Sequence, residues 1–285
     1  MQALWMIVAT VFFAWMGVSI KMAGEHHTVV SLIAWRVMPS VLIFLPWSLW
    51  QRKSFQGAPI KLHLFRGCAG VCSMLGAFYS SLHLPLAIAT VLQYTAPLFV
   101  MAELMLFKKT GRSIKEIAAL LIGFSGVLLV LQPRLDHYPV SAFLAGLLAG
   151  FSASIAYAQV RGLGAAREPE WRTVLLFSCF VLCVSLLLLV GLGELEFLLP
   201  VSGVDFAWLL SLGFSGMMAQ LLLTRAYGRG SVVLTANLQF VTIVFATLFG
   251  FWLWSDVIEQ FELLGMLMIV AGGVFATLNA RRAKN

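Results

Sequence analysis

Apolar runs as long as a bilayer is thick dominate this chain. Split at charges and at proline or glycine breaks, they fall at 3–22, 29–50, 65–83, 86–107, 115–132, 141–161, 172–192, 205–226, 231–253 and 261–280. A helix needs about 20 residues to cross the hydrocarbon core. Barrel strands alternate polar and apolar residues, whereas the run from Val174 to Val190 is continuously apolar. The pattern therefore predicts ten transmembrane helices, an all-α integral membrane protein. Composition closes the alternatives. Hydrophobic residues make up 61% and charged residues 11%, against ~45–50% and ~25% in soluble domains. An ordinary soluble domain, a disordered chain and a disulfide scaffold are excluded. Connectors are short, so no water-soluble domain holds a separate activity. The first run lacks a basic leader and an A-x-A cleavage site, so it reads as a retained span.

Charge gives the direction. With ten spans and the N-terminus inside, the cytoplasmic connectors and tail take all 19 Lys and Arg except Lys21, Arg36 and Arg134. The outer side takes Glu25, Asp136, Glu194, Glu196, Asp205, Asp256, Glu259 and Glu262. Basic residues remaining inside is the usual topological signal, and it places both termini in the cytoplasm. The net charge of +7 is explained in the same way. No folded basic surface is available for nucleic acid.

An internal repeat is also visible. Residues 67–130 align without a gap on 213–276. Gly67 meets Gly213, Gly70 meets Gly216, and Leu75 meets Leu221. Leu92-Gln93 meets Leu238-Gln239, Phe99 meets Phe245, Glu116 meets Glu262, and Gly126 meets Gly272. Each half, 1–135 and 136–285, then holds five spans. Five is odd, so the second half enters the membrane from the opposite side. Inverted repeats of this kind build many secondary transporters, with the substrate site near the midplane.

The segment Phe65 to Lys108 reads FRGCAGVCSMLGAFYSSLHLPLAIATVLQYTAPLFVMAELMLFK. An arginine opens the third span, an aromatic-rich helix follows, and a Leu84-Pro85-Leu86-Ala87 turn leads into LQYTAPLF. The second half echoes it as LLTRAYGRGSVVLTANLQFVTIVFATLFGFWLW. Over nearly its whole length the chain resembles the EamA family of the drug/metabolite transporter superfamily. The resemblance implies a fold of ten spans in two five-span repeats. It implies movement of amino acids, other metabolites, nucleotide-like cofactors or toxic compounds, mostly outward. It also implies a cavity lined by spans one, three, four, six, eight and nine, with spans five and ten peripheral. The second repeat departs from the pattern: Ile243 stands where Pro97 stands, and Gly230-Ser231 replaces Leu84-Pro85. A proline-dependent irregularity is expected in the fourth span only.

Polar groups inside spans are functional candidates. In the fourth span Thr90, Gln93, Tyr94 and Pro97 lie within about 100° of circumference. Gln93 and Tyr94 could bind a substrate, and Pro97 frees the Gln93 carbonyl; a hydrogen bond between repeats is the alternative. The ninth span presents Thr235, Gln239 and Thr242 on one face, with Asn237 opposite. The eighth presents Gly213, Gly216, Gln220, Thr224 and Tyr227, whose glycines also suit close helix packing. Trp15, Tyr79 and Tyr157 could wall a cavity or pack as core or lipid-facing filler. Arg36 inside span two could meet a substrate carboxylate or phosphate, snorkel outward, or pair internally. Glu103 lies about 130° from the Gln93/Tyr94 face. It could carry a coupling proton, or pair with Lys108/Lys109 or Arg36. The substrate-binding set is thus Trp15, Tyr79, Gln93, Tyr94, Tyr157, Gln220 and Gln239, with Arg36 and Glu103 for charge or proton coupling.

The i,i+4 pairs Cys68/Cys72 and Cys179/Cys183 read as small packing residues. Neither they nor Glu25-His26-His27 form an expected metal site, and no cofactor is expected. No Walker motif occurs, so ATP does not drive this chain directly. No H-E-x-x-H, G-x-S-x-G or paired aspartates occur within the spans, which argues against an enzyme. The resulting expectation is a bacterial inner-membrane transporter, most simply an exporter of amino acids or related compounds. The alternatives are an importer of a cofactor-like metabolite and a receptor or scaffold without flux. The expected partners are a small-molecule substrate and the bilayer, with a homodimer as a further option.

Overall fold

The computed structural model describes residues 2–52, 57–84, 86–108, 114–132, 138–255 and 258–282. The described residues form twelve α-helices and one short 3-10 turn. In order they are α1 Gln2–Ala23, α2 Val29–Trp50, α3 Ile60–His83, α4 Leu86–Gln93, α5 Ala96–Lys108, α6 Ile114–Leu131, α7 Val140–Ala165 and α8 Glu170–Leu192. The 3-10 turn Leu195–Leu198 follows, then α9 Gly203–Arg229, α10 Val232–Gln239, α11 Val241–Trp254 and α12 Gln260–Arg282. Local chemistry sets several boundaries. Thr28 and Ser202 accept backbone N–H bonds from Ser31 and Asp205 and so start α2 and α9. Gly193, at φ +72°, ends α8 in the left-handed region that glycine enters without a Cβ clash.

Among the described residues, nine helical stretches are long and apolar enough to cross a membrane. Two of them, Ile88–Leu106 and Val232–Trp254, are pairs of short helices in line: α4 with α5, and α10 with α11. The 24-residue α3 is not one of the nine; Lys61, His63, Arg66 and its serines make it less apolar. Large apolar side chains such as Leu42, Trp50, Leu106, Leu187 and Trp252 stay exposed. In water such a surface would drive aggregation; in lipid it is the solvent-facing side.

The two interruptions differ in cause. Between α4 and α5 the backbone closes a turn, with Thr95 N–H donating to the Leu92 carbonyl. Pro97, which has no N–H, then stands near the start of α5. The second interruption was not expected and has no proline. It is a tight turn in which Phe240 N–H donates to the Asn237 carbonyl and Ile243 N–H to the Phe240 carbonyl. Phe240 is fully buried, and its ring lies over Gly123 and beside Phe124 and Tyr94. Tertiary packing of that ring accompanies the turn.

The main packing partners are α1 with α9, α3 with α7, α6 with α12, and α2 with α8. Glycines let several of these pairs touch backbone to backbone. A Cβ on Gly126 would sit 2.5 Å from the Gly265 carbonyl oxygen, and one on Gly272 would sit 2.9 Å from that of Ala119. Residues 265 and 272 stand at the offset of the 67–130/213–276 alignment from 119 and 126, so the two contacts join matching positions of that alignment.

Candidate functional site

The two helix interruptions open onto one cavity of about 350 Å³. Its wall takes residues from α1, α2, α3, α7, α8 and α9 as well as from α4 and α10. Gln93 and Gln239, the last residues of α4 and α10, both line it. Tyr94, Tyr157, Gln220, Thr242, Arg36 and Arg66 join them.

These groups are held in place by their neighbours. Gln239 Nε2 donates to Tyr157 Oη at 2.9 Å, and Tyr227 Oη donates to Gln239 Oε1 at 3.3 Å. The Tyr157 and Tyr227 rings stack with centroids 4.7 Å apart. Tyr227 is fully buried, so this pair anchors the α7–α9 contact while Tyr157 faces the cavity. The Gln239 amide is thus oriented at both its nitrogen and its oxygen before any ligand arrives. Arg36 Nη1 lies 3.9 Å from the Met74 sulfur. Arg66 Nη1 donates to the Thr173 carbonyl at 2.7 Å, and its guanidinium covers the Phe177 ring at 4.4 Å.

Five of the residues singled out as binding candidates, Gln93, Tyr94, Tyr157, Gln220 and Gln239, therefore share this cavity, as does Arg36. Trp15 does not line it. Its Nε1 donates to Ser211 Oγ at 3.0 Å, and its ring packs on Trp208 and Phe249. Tyr79 is 42% exposed, with its ring beside His83 and its hydroxyl 3.4 Å from Ser141 Oγ. Glu103 sits in a separate groove between α5 and α7 together with Arg161, and accepts a 2.7 Å bond from Ser154. Arg36 and Glu103 are thus not partners. Lys109 lies outside the described residues.

Arg66 was counted above with the cytoplasmic connectors. Helix α3 begins at Ile60, so Arg66 is in its second turn and is 2% exposed. The glycines of α9 are packing residues. A Cβ on Gly213 would lie 2.7 Å from the Trp35 carbonyl oxygen, and one on Gly216 would lie 2.9 Å from Arg36 Cγ. Gly216 thereby seats the stem of Arg36. Thr235 is buried and donates to the Ser231 carbonyl at 2.9 Å.

Ionic clusters tie down both ends of the bundle. At one end the buried Glu168 carboxylate accepts from Arg172 Nε and Nη2 and from the Ala58 N–H at 2.9 Å, with His63 Nε2 at 3.3 Å. Burial pushes the Glu168 carboxyl up. The hydrogen bonds from Arg172 and Ala58, with the charges of Arg172 and His63, outweigh it and hold the group below the usual glutamate range. At the other end His27 Nε2 lies 2.8 Å from Asp205 Oδ2, and its Nδ1 lies 2.6 Å from the Phe197 carbonyl.

Comparison with known proteins agrees with this architecture. Residues 1–132 match the EamA-like transporter family. An uncharacterized transporter of Helicobacter pylori is 28% identical, covering 96% of this chain and 93% of that protein. The pseudopaline exporter CntI of Pseudomonas aeruginosa is 30% identical, covering 76% and 74%. An S-adenosylmethionine uptake transporter of Rickettsia felis is 20% identical over 98% and 93%. A solved crystal structure superposes over 100% of this chain and 99% of its own with a TM-score of 0.82 at 20% identity, a likeness of fold. The chain is a member of the EamA-like transporter family, within the drug/metabolite transporter superfamily.

Proposed function

We propose that this chain is a secondary transporter that exports small organic metabolites, amino acids and related compounds foremost, by alternating access. Ten spans form two inverted five-helix repeats, 1–135 and 136–285, with both termini cytoplasmic. The observation that carries the reading is one cavity at two helix interruptions, with Gln93 and Gln239 at repeat-related positions in its wall. Non-helical backbone at membrane depth is tolerated where it lines a cavity or is buried in protein. The packing supports the repeats. The first long helix of each half packs on the third of the other, α1 on α9 and α7 on α3. The Gly126–Gly265 and Gly272–Ala119 contacts are related by the same offset. The Glu168–Arg172–His63 and His27–Asp205 clusters sit at opposite ends, where alternating access requires gates.

The P. aeruginosa exporter supports the outward direction, and the R. felis uptake transporter supports the inward alternative. Metabolite-panel flux in proteoliposomes, with and without a pH gradient, tests the function and its direction. Flux of at least one solute is expected. Gln239→Ala and Gln93→Ala should each lower it about tenfold, the scale of one lost polar contact at a desolvated site. No flux of any solute from vesicles of verified folding would overturn the transporter reading. Unchanged kinetics in both variants would remove the cavity assignment.

A further inference from the structure

We infer that the cavity recognises a small organic anion carrying two acidic groups, one for Arg36 and one for Arg66. The inference rests on the transporter reading and, within small organic metabolites, moves the favoured substrate from amino acids to organic dianions. Arg36 and Arg66 come from different helices, α2 and α3, and both line the cavity. Among the described residues, no Asp or Glu lines it. His27–Asp205, His63–Glu168, Arg172–Glu168 and Arg229–Glu170 pair elsewhere among the described residues, and neither cavity arginine belongs to these pairs.

What these arginines do touch leaves their charge uncompensated. Arg36 meets a thioether, a weak acceptor. Arg66 meets one carbonyl and the face of Phe177. A guanidinium has five N–H donors in a planar fork that suits carboxylate or phosphate oxygens. Two cations in a wall with apolar members such as Phe13, Met16 and Phe177 are costly unless paired. The same wall gives an incoming anion a desolvated, preset site, where each ionic contact counts most. An ammonium or sulfonium group finds no carboxylate there. The amides of Gln93, Gln220 and Gln239 and the phenols of Tyr94 and Tyr157 remain for the neutral polar parts of the solute.

The test uses the full chain in proteoliposomes. Succinate and malate probe two carboxylates; glycerol 3-phosphate and phosphoenolpyruvate probe phosphate. Alanine, lysine and thymidine are the zwitterionic, cationic and neutral controls. At least one dianion should be transported, and it should be preferred about tenfold or more over every control. The two dianion arms separate carboxylate from phosphate recognition. Arg36→Gln and Arg66→Gln should each weaken the preferred dianion about tenfold or more, with Arg36→Lys and Arg66→Lys losing less. Should the Gln variants fail to fold, the wild-type preference and the Lys variants still decide. Flux confined to controls, or dianion flux indifferent to both arginines, overturns the inference and leaves the transporter reading intact. Absence of all flux overturns the transporter reading itself.

Discussion

Replacing Glu168 by alanine is expected to give the largest loss of stability of any single substitution outside the cavity. The carboxylate side chain is 1% exposed and holds Arg172, whose side chain is 6% exposed. Removing one partner of a buried pair leaves an uncompensated charge, which costs about 3–5 kcal/mol. The Ala58 N–H and His63 lose their acceptor at the same time. Thermal unfolding in detergent checks this: a variant that melts with the wild type would show that the cluster carries no net stability. The pH dependence has a definite sign. The carboxyl is held below its ordinary range in the folded chain. Its stabilisation is therefore complete above the unfolded glutamate pKa of about 4.3, and is lost as pH falls through the lower folded value. Glu168→Gln should flatten that acid limb of the stability profile.

The second large effect is asymmetric across one contact. Gly164→Ala is expected to destabilise the chain by about 1–3 kcal/mol or more, as overpacking does. Gly228→Ala, on the facing helix, should be neutral or slightly stabilising. A Cβ on Gly164 would come within 3.0 Å of the Gly228 carbonyl oxygen, Cα and carbonyl carbon, all backbone atoms that cannot rotate away. A Cβ on Gly228 meets nothing closer than the Gly164 Cα at 3.4 Å, an ordinary contact. Alanine gains up to about 1 kcal/mol in helix propensity at either site, less near a helix end. The difference between the two variants therefore isolates the steric term. Equal melting temperatures would mean that α7 and α9 do not meet as described.

Much of the helix content is legible in residue order because lipid leaves so few options. Runs of apolar residues long enough to span have to be helices, and their ends are marked by charge. Gln93, Tyr94, Tyr157, Gln220 and Gln239 stand out as polar groups in such runs, and the structure gathers them in one cavity. Trp15 and Tyr79 stand out equally but go elsewhere. An aromatic residue satisfies lipid, core and cavity alike, and periodicity does not say which neighbour a face meets. Arg66 was obscured for the opposite reason. A charge near the edge of an apolar run reads as a flank, and only the extra turns of α3 from Ile60 bring it inside. Its partner Phe177 lies on another helix, so no local spacing signals the pair. The turn at Phe240 is likewise a product of tertiary packing, with no proline to announce it.

The doubled glycine contact between α6 and α12 has a thermodynamic consequence. Under the proposed alternating access between inverted halves, an exchange of conformations turns Gly126–Gly265 into Gly272–Ala119 and the reverse. The contact is carried into its own image, so its free energy is common to both end states and cancels from the ratio of their populations. On that proposal it works as an axle: it sets how firmly the halves are joined and leaves the choice of side to the solute and to the clusters at the two ends.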